Sequence, residues 1–145
     1  MECLYNADEV ARFLVGYSND RNKPISNLQL QKFLYFLWIE YYKKFRQYLF
    51  NSPFEAWKFG PVEPDVYYSF CAYGGLPIIE SFSEDNIKKN DKSFFKDFID
   101  RYYERDPFEL VRISHRVGHA WDTVFNTKGG RAEIPFDLII SKECV

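Results

Sequence analysis

From Leu28 to Phe45 apolar residues fall on almost every side of a helical wheel. Leu30, Leu34, Leu37, Tyr41 and Phe45 form one stripe, and Phe33, Tyr35, Phe36, Ile39 and Tyr42 cover much of the remainder. A helix that is apolar nearly all round cannot lie on a surface; it has to be wrapped on several sides. The segment therefore predicts a central helix at about 27–46. The expected fold class is mainly α: a compact single-domain helical bundle around this hydrophobic helix. A chain of 145 residues is long enough to bury roughly two-thirds of its unfolded surface and needs no disulfide or metal to do so.

The flanking sequence supplies the wrapping elements. Asn6 and Glu9 have capping-box spacing and precede Val10, Phe13, Leu14 and Tyr17, which predicts a helix over 7–18; Ser26 and Gln29 repeat the spacing before the central helix. Phe54 to Phe59 alternates in polarity and ends at Gly60-Pro61, so a short strand closed by a turn is expected at 54–59, with a second short strand or hairpin partner at 76–82. Pro64 suits the first turn of a helix that Gly74-Gly75 would end. The polar run 83–92 reads as a loop, and helices are expected at 93–103, from Pro107 to about Arg116, near 120–125, and from Pro135 to about Lys142. No repeat or linker divides the chain, so residues 1–145 are expected to form a single domain.

Charge and composition exclude several classes. No apolar run reaches the roughly 20 residues of a membrane span, and Met1 to Asn6 lacks the pattern of a secretory leader. A cytoplasmic location without membrane contact is expected, in keeping with three widely spaced cysteines, Cys3, Cys71 and Cys144, that form neither a disulfide framework nor a CxxC site. A net charge of −2 argues against nucleic acid as a partner. The only basic runs are Lys43-Lys44-Phe45-Arg46 and Lys88-Lys89. Aromatic residues make up 20% of the chain, more than a small core readily hides, and any left outside would mark a binding surface.

The chemical constellations are thin. His115, His119 and Asp122, spaced by four and three, would share one face of a continuous helix and form a ligand triad for a small metal-dependent hydrolase. Gly118 instead favours a helix boundary between the histidines, and the glutamate of HExxH is missing. Ser114 and His115 are neighbours and cannot face each other on a helix, and no GxSxG elbow is present. Lys128-Gly129-Gly130-Arg131 lacks the spacing of a phosphate loop. Glu55 and Glu63 flank the Gly60-Pro61 turn without an evident cleft. No catalytic residue, metal or cofactor is therefore expected. Gln31 and Lys32, embedded in apolar sequence, either face a contact surface or, if buried, must find polar partners such as Glu55.

Three separated stretches carry a more specific pattern. Leu30-Gln31-Lys32-Phe33-Leu34-Tyr35-Phe36 has the form LQKxLYF. Glu55-Ala56-Trp57-Lys58-Phe59-Gly60-Pro61-Val62, followed by Tyr67, has the form EAWxxGPVxxxVY. Ser114-His115 to Trp121 has the form SHxxxxxW. In this order and spacing they resemble the Panacea antitoxin domain, the family of SocA-like and phage-associated GepA-like proteins. The resemblance implies a mainly helical antitoxin of a toxin-antitoxin system that neutralises a cognate toxin by direct protein binding, in one branch as an adaptor delivering it to a ClpXP-type protease. Some members also carry a DNA-binding domain, for which this chain has no room, so a DNA-binding regulator, like the small metal-dependent hydrolase, stands as an alternative reading. The stretch after Trp121, with the Lys128 to Arg131 turn, departs from the family's shorter connection. That turn and the 83–92 loop are the candidate partner-contact regions. The signature residues Leu30, Gln31, Lys32, Tyr35, Glu55, Trp57, Gly60, Pro61, Val62, Tyr67, His115 and Trp121 have structural or partner-binding roles.

Overall fold

Two reciprocal caps open the first two helices. Asn6 accepts the Glu9 N–H while the Glu9 carboxylate accepts the Asn6 N–H, starting α1 (Ala7–Asp20). Ser26 and Gln29 repeat the exchange at the start of α2 (Asn27–Phe45). The computed structural model describes residues 3–145; Met1 and Glu2, the start of the stretch read for a leader, lie outside the described residues. α2 is the axis of the fold. Leu30, Phe33, Leu34, Leu37 and Trp38 have no exposed surface, and α1, four of the later helices and the sheet all pack on it.

The remaining helices follow in order as α3 (Pro64–Ser69), α4 (Lys89–Tyr102), α5 (Pro107–Ser114), α6 (Ala120–Lys128) and α7 (Phe136–Glu143). Pro64 and Pro107 both stand in a first helical turn, where the missing N–H costs nothing. A small antiparallel sheet of β1 (Phe54–Trp57), β2 (Gly60–Val62) and β3 (Ala132–Ile134) has the order β2-β1-β3. The molecule is thus mainly α around one central helix, with a single hydrophobic core threaded by aromatic contacts. Phe33 meets Phe98 edge-on, Tyr35 meets Phe54 edge-on, and Phe136 stacks on Trp38 at 4.7 Å. No helix among the described residues is long and apolar enough to cross a membrane.

Three details differ from the sequence reading. The hairpin turn is Lys58-Phe59, and Gly60-Pro61 are already inside β2, with Trp57 opposite Gly60 and Ala56 opposite Pro61. Residues 76–82 form no strand. Their ladder contact is the bridge of Ser26 with Pro77, where the Ile78 N–H donates to the Ile25 carbonyl, because β1 has both its edges occupied and Pro77 cannot donate. Helix α4 begins at Lys89, inside the run read as a loop. Lys88 at its N-cap has no side-chain cap of its own. Instead the Tyr5 hydroxyl accepts the Lys88 N–H at 3.1 Å and donates to the buried Asp91 carboxylate at 2.5 Å.

Candidate functional site

Helix α2, strand β2 and the end of α5 meet at Lys32. Its side chain is wholly buried, and the amine donates to the Pro61 carbonyl at 2.7 Å. Burial without a neighbouring carboxylate pushes its pKa down to about 7. Gly60 fits against the same spot at φ +112. A Cβ there would stand 2.7 Å from Ser114 Oγ and 3.0 Å from the Lys32 amine. Leu30 and Tyr35, on the same helix, are core residues.

Gln31 is equally buried, and its partners differ from the expected one. Its amide nitrogen donates to Asn27 at 3.2 Å and its oxygen accepts the Glu63 N–H at 2.9 Å. Glu63, rather than Glu55, is the buried acid here; it caps α3 by accepting the Val66 N–H at 2.7 Å, and burial raises its pKa. Glu55 lies outside this network and accepts from the Trp57 indole at 2.8 Å. The two acids on either side of the turn therefore have separate local roles and do not pair.

The histidines fall on different elements. His115 ends α5, and His119 starts α6 as its N-cap. The His115 ring lies flat on Trp121 with centroids 3.6 Å apart. Burial, and then the nearby Lys32 charge, lowers its pKa, which Asp122 opposes. His119 Nδ1 meets the Glu143 carboxylate at 2.6 Å, and the same carboxylate accepts from Tyr35 at 3.2 Å. Asp122 instead accepts the Gly118 N–H at 2.8 Å. The break at Gly118 thus separates the three groups that a continuous helix would have aligned, and among the described residues no group of three potential ligands is placed to hold a metal. Ser114 donates to the Val111 carbonyl within its own helix at 2.7 Å.

What the signature builds is a groove. The Trp121 indole donates to the Trp57 carbonyl at 2.7 Å and fixes α6 against β1. A cavity of about 790 Å³ adjoins them, lined by the buried Asn27, Gln31 and Lys32, by Val62 and Tyr67, by Trp57 and Phe59 of the hairpin, and by Phe125 and Arg131. Phe59 is 57% exposed. The Arg131 guanidinium stands 4.1 Å over the Trp57 ring. Of the two contact regions expected from sequence, the turn ending at Arg131 lines this groove. The 83–92 segment does not; it runs into α4 at the opposite end of α2, where Lys44 and Lys88 are also found. Strand β3 and the stacking of Arg131 on Trp57 escaped the sequence reading, the one signal being the positive turn that follows Lys128.

Comparison with known proteins bears on the whole assembly. A family model described as Antitoxin SocA-like, Panacea domain, matches residues 30–122, which span every signature segment. The chain is also 35% identical over 140 residues to Antitoxin SocA of Caulobacter vibrioides (strain NA1000 / CB15N), an alignment covering 86% of this chain and 72% of that protein. No solved structure matches it.

Proposed function

This chain belongs to the family of SocA-like, Panacea-domain antitoxins, and from that membership we propose that it neutralises a cognate toxin by binding it directly, without turnover of a substrate. The observation that carries this reading is the destination of the signature. Two of its three segments, far apart in sequence, line one open groove with aromatic walls and exposed cations, and the third braces the hairpin through the bond from the Trp121 indole to the Trp57 carbonyl; aromatic walls are the composition of a protein-binding surface. Ser114, the histidines and the buried acids each have a structural partner or a local packing role, and none forms a nucleophile-base pair facing that groove.

The test is co-expression with the neighbouring reading frame. The expected result is that the neighbour arrests growth alone, that this chain restores growth, and that the two co-purify. Failure to rescue together with absence of a complex would overturn the reading. Rescue in a host lacking the ClpXP protease would place neutralisation in binding itself, whereas rescue that requires the protease would place it in delivery for degradation.

A further inference from the structure

The groove is charged in one sense only. Lys58 and Arg131 are exposed in its lining, the Lys32 amine is buried beneath, and among the described residues no aspartate or glutamate lines it, although the chain as a whole carries a net charge of −2. Some cations elsewhere reach across the surface to a carboxylate: Arg21 pairs with Asp100, Lys23 with Glu104 and Arg101 with Glu40. Lys58 and Arg131 have no carboxylate partner among the described residues. Arg131 is also held in place from two sides. Its backbone is left-handed at φ +68, a conformation a residue with a side chain rarely keeps without surrounding constraint, and its N–H bonds to the Ala56 carbonyl at 2.6 Å. A guanidinium lying on an indole keeps the edges of its fork available. Here only one edge has a contact, a long one of 3.5 Å to the Tyr68 hydroxyl.

We propose that this groove seats an acidic segment of the partner, in which an aromatic or aliphatic side chain enters between Trp57, Tyr67 and Phe125 and flanking carboxylates meet Arg131 and Lys58. The inference rests on the reading that the chain binds a partner protein and adds where it binds and what the partner must present. The apolar walls supply an anchor pocket. The unmatched cations select against basic or neutral segments and hasten the encounter with an acidic one. A site of this kind depends on salt, because the rim charges are exposed.

The experiment has two arms. In the first, the double variant Lys58→Glu with Arg131→Glu is compared with wild type and with Arg116→Glu, a surface control outside the groove, for affinity to the adjacent-frame protein by calorimetry, after melting curves show all three folded. The double variant should bind at least about tenfold more weakly, and the control should bind as wild type does. In the second arm, the peptides acetyl-Glu-Glu-Phe-Glu-Glu amide and acetyl-Lys-Lys-Phe-Lys-Lys amide are titrated while the Trp57 indole N–H is followed by NMR. Only the acidic peptide should shift it. A complex that forms equally well with the double variant overturns the groove and leaves the antitoxin reading standing. A shift by the acidic peptide without any complex supports the groove and counts against that reading. Equal shifts by both peptides, or by neither, overturn the proposal.

Discussion

Gly60 answers two demands at once. Its φ of +112 reverses the chain after Lys58-Phe59, and its missing side chain leaves space that Ser114 and Lys32 occupy. Gly60→Ala should therefore cost about 2–4 kcal/mol, combining backbone strain with a forced shift of two buried side chains. Thermal or urea unfolding would measure it, and a loss below 1 kcal/mol would contradict the close approach. Lys32 makes a prediction in pH. Its folded pKa is pushed down to about 7 from an ordinary 10.5, so between those values the unfolded chain holds a proton that the folded chain does not. Stability must then rise with pH across that window, by about 1 kcal/mol per unit. The Cys144 thiol, pushed up to about 11 by burial, acts in the opposite direction once unfolded thiols ionise, so the window to read is pH 7 to 8.5. His115, lowered from 6.5, titrates beneath it. Urea midpoints of Lys32→Met should lose this slope relative to wild type. An unchanged slope would show that the amine keeps its charge when buried.

Elements whose start signal lies within three or four residues were legible without a structure. The capping boxes of α1 and α2 and the prolines of α3 and α5 act locally, and the all-round apolarity of α2 announced its central place. Elements that owe their limits to distant groups were not. Strand β3 exists because Ala132–Ile134 pairs with Ala56–Phe54, and nothing within so short a stretch declares that register. The start of α4 is set by Tyr5, 83 positions away from Lys88. The same limit applies to the groove. The signature residues could be named in advance, but the choice of Glu63 over Glu55 depends on β2 register and on the cap of α3, and the place of Arg131 over Trp57 depends on β3. The Tyr5 hydroxyl is an external cap for α4, so Tyr5→Phe should leave the Lys88 N–H and the Asp91 carboxylate short of a partner. A loss of about 1–3 kcal/mol is expected, together with faster amide exchange confined to the first turn of α4. Uniform acceleration along the whole helix would instead indicate that Tyr5 acts through general packing.

Across the whole molecule, α7 is the piece that closes the core. Phe136 stacks on Trp38, Ile139 is fully buried, and Glu143 joins Tyr35 of the central helix to His119 at the head of α6. A chain ending at Pro135 should therefore lose the cooperative unfolding transition and the near-ultraviolet circular dichroism of packed aromatics altogether, while the helical signal persists in part. A shortened chain that still melts sharply would show that the remaining helices suffice. The bond between Tyr35 and Glu143 spans 108 positions, and this bears on the order of events at the ribosome. At roughly 5–20 residues per second, the central helix has to wait about 5–20 s for its last covering to be synthesised. During that interval the flank of Trp38 and Tyr35 that α7 covers lacks its native cover. The native packing of Tyr35 is thus acquired only once α7 has followed the central helix out of the ribosome.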